Sequence, residues 1–139
     1  MNEEQLQDIL SKRRNIPPAH GIRVPFETMQ SFIAALFSAA GLRDEDARLM
    51  GQILTGNDLR CVFSHGTSAS HQYLHHLREG GINPRPNIKV VHEAAGALVL
   101  DGDGGLGYLP CWHGSEQIIA KAKECGSAVL TTRNHHHHR

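Results

Sequence analysis

A chain of 139 residues, 40% of them hydrophobic, can bury one modest core, so a single globular domain is the default. Its 14 Lys and Arg residues cancel its 14 Asp and Glu residues, so no overall field draws it toward nucleic acid or an anionic membrane, and neither partner is expected. No run reaches the roughly 18 apolar residues of a membrane span, the start is charged rather than signal-like, and Cys61, Cys111 and Cys125 lack any CxxC spacing; the expectation is a cytoplasmic protein with reduced thiols.

Residues 1–22 read as a polar extension in which Leu6, Ile9 and Leu10 can share one face of a short helix before Pro17, Pro18 and Gly21 break it. Pro25 suits the first turn of a helix. Phe26, Met29, Phe32, Ile33, Leu36, Phe37 and Ala40 then recur at three- and four-residue steps up to Gly41. Asp44 can cap a second helix, with Ala47, Met50, Ile53 and Leu54 as its buried stripe and fraying near Gly56 and Asn57. A third helix is expected from Ser64, which can cap it, through Tyr73, Leu74 and Leu77 to Gly80 and Gly81.

After Asn83-Pro84-Arg85-Pro86 the pattern changes to two β-rich runs, Ile88–His92 and Ala97–Leu100, with Gly96 available for the connection. A glycine-rich stretch, Asp101–Gly107, leads to a helix over about Tyr108–Glu124 with Ile118, Ile119 and Ala122 buried and Gly126 closing it, followed by a strand at Ala128–Thr132. The order points to an α/β fold: a helical lobe over 23–86, then an α/β domain that begins at 87 and runs to 139. The last strand leaves an exposed edge, and the sheet reads as incomplete.

Several groups could carry chemistry. Gly102-Asp103-Gly104-Gly105-Leu106-Gly107 matches GxGxxG between a strand and a helix, the setting of a dinucleotide fingerprint. Asp101 and Asp103 would put negative charge beside a pyrophosphate, and no carboxylate ends the next strand, so an Asp-Gly turn is the better reading. His71 and His75 have a spacing that lets two imidazoles reach one metal ion, but nothing nearby completes a ligand set, and a solvated face is favoured, with no metal assigned. Ser64-His65 is a possible hydroxyl–imidazole pair, which on residue type alone reads as ordinary capping. Four of the 11 histidines, His135–His138, stand before Arg139; they follow directly on a probable strand, which argues against a tag, and read as a disordered end.

Taken in order, Asn57-Asp58-Leu59-Arg60, Ser64-His65-Gly66, Tyr73, Gly81-Ile82-Asn83-Pro84-Arg85-Pro86, Asp101–Gly107 and Arg133-Asn134 before histidines resemble the malate/L-lactate dehydrogenase family. The likeness runs from about Val24 to His137 and includes the sulfolactate and ureidoglycolate dehydrogenases and cyclic imino acid reductases. It implies a mixed-sheet, non-Rossmann, sulfolactate dehydrogenase-like fold, of which this chain is the amino-terminal, incomplete portion. The implied activity is reversible hydride transfer between a 2-hydroxyacid and its 2-oxoacid with NAD or NADP, in a homodimer. Cofactor contacts would come largely from later segments, which leaves Gly102–Gly107 mainly structural.

By the same resemblance Ser64 and His65 lie at the substrate and polarise it or relay a proton, Tyr73 binds substrate, and His137 moves the proton. Imidazole suits that task because its ordinary pKa is near neutrality. Two departures stand out. Ala69 replaces a substrate-binding arginine expected one helical turn after His65, which would cost a bidentate carboxylate contact of about 1.5–3 kcal/mol. His138 and Arg139 replace the phenylalanine and glycine that should lead into the cofactor site. The alternative is an inactive fragment or pseudo-enzyme that acts only by associating with a full-length relative.

Overall fold

The computed structural model describes Asn2 and residues 22–136; the expected short helix around Leu6, Ile9 and Leu10 lies outside the described residues, as do His137 and His138. The described chain forms α1 (Phe26–Ala39), α2 (Asp44–Leu59), α3 (Ser70–Arg78), β1 (Lys89–Ala94), β2 (Ala97–Asp101), α4 (Tyr108–Cys125) and β3 (Val129–Arg133). Two short 3-10 turns, Phe63–His65 and Thr67–Ala69, precede α3. Contacts divide the chain into two compact units, one reaching Ala39 and resuming over Asp44–His75, the other made of Ala40–Arg43 and everything from His76 onward.

In the first unit α1 and α2 pair through the stripes read from the sequence, with Ile33, Phe37, Ala47, Met50 and Leu54 buried. Phe32, expected inside, is 56% exposed, because it falls at the edge of the stripe centred on Ile33 and Phe37. Gly51 sets how closely the helices approach. A Cβ there would stand 2.6 Å from the Gln30 carbonyl oxygen and 3.2 Å from the Ala34 Cβ.

The α2 helix does not fray at Gly56 and Asn57 as expected but continues to Leu59. Its end is a Schellman closure: Val62 N–H donates to the Asn57 carbonyl at 2.9 Å and Cys61 N–H to that of Asp58 at 2.9 Å. That geometry puts Cys61 in the left-handed region at φ 58°, where a residue with a Cβ is strained. The third helix starts later than expected. Gly66 is extended, at φ −94° and ψ −155°, so Ser64 sits in a separate 3-10 turn and does not cap an α-helix. Tyr73, Leu74 and Leu77 are buried on α3, as the periodicity requires.

The second unit holds a three-stranded mixed sheet in the order β1-β2-β3. The β1 and β2 strands pair antiparallel across the Ala95-Gly96 turn, with a register irregularity between Val90 and His92, whereas β2 and β3 run parallel and are joined by α4. Leu98 and Leu100 of β2 are buried with Leu106, Leu109 and Pro110. Pro110 is tolerated because it lies in the first turn of α4. That helix meets the sheet elsewhere than expected: Ile119 is 53% exposed and Ile118 and Ala122 are half-buried, while Tyr108, Leu109, Pro110 and Gly114 are covered. The reason is Gly114, where a Cβ would come within 2.7 Å of Leu130 and 2.8 Å of Leu100, so contact concentrates on the first half of the helix.

The ends of β2 and β3 are joined by charge. Asp101 accepts from Asn134 Nδ2 at 2.8 Å, from the Asp103 backbone N–H at 3.0 Å and from Arg133 Nε at 3.2 Å. These donors, with Asn134 foremost, hold its carboxyl below the ordinary value of 3.8. A carboxylate whose folded pKa is depressed stabilises the fold above its unfolded value and loses that contribution as pH falls through the folded one. Asp101→Asn should therefore lower the thermal midpoint at pH 7, with the gap to the parent closing below about pH 4; a gap independent of pH would contradict the assignment. Cys61→Gly should act the other way. Relief of about 1–2 kcal/mol of left-handed strain exceeds the added chain entropy of about 0.5–1 kcal/mol, so urea unfolding should shift to higher midpoint with unchanged slope.

Candidate active site

The first unit places its polar residues at the end of α2. After the Schellman closure the chain turns through Phe63–His65, with His65 N–H donating to Val62 O at 3.0 Å and Gly66 N–H to Phe63 O at 3.2 Å. Ser64 Oγ and His65 Nδ1 lie 2.7 Å apart. The two side chains read from the sequence as a pair are thus hydrogen-bonded, and both are half-buried. Because Nδ1 is engaged by Ser64, Nε2 is the ring nitrogen that can meet a ligand. It donates or accepts there according to which partner holds the proton in the Ser64–His65 bond.

Two residues of α2 hold this loop. Asn57 Nδ2 donates to the His65 carbonyl at 2.7 Å, and Arg60 in turn donates to Asn57 Oδ1. The Asp58 carboxylate accepts from Thr67 Oγ1 at 2.6 Å and from the Thr67 N–H at 3.2 and 3.3 Å. It lies directly over Gly66, where a Cβ would fall 1.7 Å from Asp58 Oδ1. Only glycine leaves room for that carboxylate. Residue-type reasoning gave Asp58, Gly66 and Thr67 no role, because their partnership spans nine residues and a helix end, which no local pattern encodes.

Beside this loop is a cavity of about 820 Å³ lined by Phe26, Met29, Leu59 and Phe63 with Asp58 and Thr67 at its polar side. Ser64 and His65 do not line it. Tyr73 is on α3 and is buried, at 3% exposure. Ala69 belongs to the second 3-10 turn, separated from His65 by extended Gly66, so the expected shared helical face of His65 and Ala69 does not exist.

In the second unit the glycine loop is tested by its amide hydrogens. Gly102 N–H donates to Arg133 O at 2.9 Å, Gly104 N–H to Asn134 O at 2.8 Å, Gly105 N–H to Gly102 O at 2.9 Å and Gly107 N–H to His136 O at 3.1 Å. A pyrophosphate cradle needs these donors turned toward the ligand. They are spent within the protein, so this loop does not fit a dinucleotide, and its glycines serve close packing instead. Asn83 joins the same knot, donating through N–H to Gly104 O at 2.9 Å and through Nδ2 to Asp103 O at 2.9 Å.

His135 and His136, read from composition as part of a disordered end, are both held by the fold. His135 Nε2 is 2.9 Å from Thr132 Oγ1, and His136 forms an isolated parallel bridge with Leu106. His137, the expected proton-transfer residue, lies outside the described residues. His71 and His75 are both exposed, and His71 Nδ1 is turned to Ser68 O at 2.6 Å.

Comparison with known proteins bears on this arrangement. The profile of the family described as malate/L-lactate dehydrogenase matches residues 24–139. The chain is similar to a malate dehydrogenase of Pyrococcus horikoshii, 35% identical over 117 residues that cover 84% of this chain and 32% of that protein. It is also similar to an L-sulfolactate dehydrogenase of Methanocaldococcus jannaschii, 37% identical over 111 residues, 80% of this chain and 32% of that one. The solved structure of malate dehydrogenase from Pyrococcus horikoshii OT3 superposes with a TM-score of 0.79 at 35% identity, covering 84% of this chain and 34% of that chain. The sequence thus spans about a third of the length of the relatives it matches. With residues 24–139 matched, the chain belongs to the malate/L-lactate dehydrogenase family.

Proposed function

We propose that this chain is the amino-terminal part of an oxidoreductase that moves hydride reversibly between a 2-hydroxyacid and NAD or NADP. The observation that carries the reading is the Ser64–His65 hydrogen bond of 2.7 Å in a loop tied to α2 by Asn57 and Asp58. A bound nicotinamide would supply the hydride acceptor or donor. His65 Nε2, oriented through Ser64, would donate to the oxygen of a 2-oxoacid or accept from that of a 2-hydroxyacid. His137 is proposed to exchange the proton with the reacting oxygen, and Tyr73 to reach substrate through its hydroxyl. The cofactor is proposed to be held by residues other than the Gly102–Gly107 loop.

The related proteins named malate, L-sulfolactate and hydroxycarboxylate dehydrogenases support a 2-hydroxyacid as substrate. A cytoplasmic location is proposed on the three free cysteines, Cys61, Cys111 and Cys125, and a homodimer on the family resemblance. Among the described residues no helix is long and apolar enough to cross a membrane.

The direct test follows nucleotide absorbance while a full-length protein that contains this chain is mixed with NADH or NADPH and oxaloacetate, pyruvate or sulfopyruvate. Oxidation that depends on the 2-oxoacid is expected, reduced about 10²–10⁴-fold by His65→Ala. No turnover, together with a Trp112 fluorescence melt that neither nucleotide raises, would overturn the reading for this chain. Gly66→Ala tests the loop itself. Its Cβ must displace the Asp58 carboxylate and leave Thr67 without its acceptor, a loss of about 1–3 kcal/mol in urea unfolding, whereas in an Asp58→Ala background the same change should cost far less.

A further inference from the structure

The sequence pattern singled out His71 and His75 as a possible ligand pair, but folding brings a different pair of imidazoles together. His76, in the last turn of α3, and His136, just beyond β3, have ring centroids 4.8 Å apart and planes inclined by 45°. Both rings are half-buried and both belong to the second unit.

We propose that His76 and His136 form a binding site for a borderline divalent cation such as Zn²⁺, Ni²⁺ or Cu²⁺. The geometry suits two imidazoles on one ion. A tetrahedral ion about 2.0–2.1 Å from each ligating nitrogen puts two imidazole centres roughly 5 Å apart, a spacing that the His76 and His136 rings match at 4.8 Å. Imidazole nitrogen is the donor type such cations prefer, whereas Mg²⁺ and Ca²⁺ require oxygen ligands.

The backbones that present the rings are fixed. His136 N–H donates to Gly105 O at 2.8 Å and its carbonyl accepts from Gly107 N–H at 3.1 Å, so the residue is pinned on both sides to the glycine loop. His76 is held by α3, and its carbonyl accepts from Gly81 N–H at 2.9 Å. Little ordering remains for binding to impose. Gly81, which is exposed, passes close to one ring: a Cβ there would lie 3.8 Å from His76 Nδ1. The last turn of α3 adds a helix C-terminus, whose partial negative charge favours a cation nearby. Among the described residues no three or more His, Cys, Asp or Glu side chains gather as a ligand set, so the described residues supply two protein ligands.

Binding would clamp the end of α3 to the segment after β3, residues that are 60 apart in sequence, and because it selects the folded state it would raise the thermal midpoint. The experiment titrates Zn²⁺, and separately Ni²⁺, into the chain by calorimetry and repeats the melts with each ion and after chelation. One equivalent bound, with a midpoint that rises and falls back on chelation, is expected. Affinity should drop roughly tenfold or more in both His76→Gln and His136→Gln and stay within about twofold in the His71→Ala/His75→Ala variant. Replacing His135, His137 and His138 together should leave binding in place. Loss in that triple variant but not in His136→Gln, or no uptake below millimolar ion, would overturn the proposal. If His136→Gln fails to fold by circular dichroism, the nitrogen hyperfine pattern of bound Cu²⁺ decides between two imidazoles in the parent and one in His76→Gln.

Discussion

The second unit depends on three stretches of backbone approaching closely at Gly102 and Gly105. A Cβ on Gly105 would stand 2.6 Å from the Pro86 ring, and one on Gly102 would stand 2.8 Å from His135 Cβ. With no side chains in the way, residues 102–107 exchange backbone hydrogen bonds with Arg133, Asn134 and His136 and accept one from Asn83. Buried peptide groups must find partners, and here the partners are other peptide groups. The same bonds settle the chemistry of the loop, since an N–H already donating to a carbonyl has nothing left for a phosphate.

An equivalent economy operates in the first unit with a carboxylate in place of backbone. Gly66 vacates the volume that Asp58 occupies, and Asp58 then gathers the N–H and hydroxyl of Thr67. Asn57, one residue earlier, takes the His65 carbonyl. The Ser64–His65 pair is therefore held by the last turn of α2 rather than by the start of α3, and the strain at Cys61 is local to the turn that makes this possible. A group positioned from a helix end has a more defined orientation than one on an unsupported loop.

Much of the architecture was legible in the sequence because it rests on short-range rules. The three- and four-residue recurrence of Ile33, Phe37, Met50, Leu54, Leu74 and Leu77 marks helix faces that are buried in the structure, and Gly126 ends α4 at φ 84° as its position suggests. The motif order from Asn57 to Asn134 was enough to point to the family. Local rules failed where a distant neighbour decided. Ser64 looks like an α-helical cap until Gly66 is seen to be extended beneath Asp58, and Ile119 looks buried until Gly114 draws the other half of α4 onto Leu100 and Leu130.

The sequence by itself determined the elements, their order, the family and the identity of the Ser64–His65 pair, because propensity, periodicity and motif order are carried by neighbouring residues. Only the tertiary structure decided what the glycines are for, which residues hold the pair, and which histidines meet. Gly105 and Pro86, Asp58 and Thr67, and His76 and His136 are separated by 19, 9 and 60 positions respectively. Whether such residues touch depends on how closely two backbones can pass, a property of the packed chain that no single stretch of it contains.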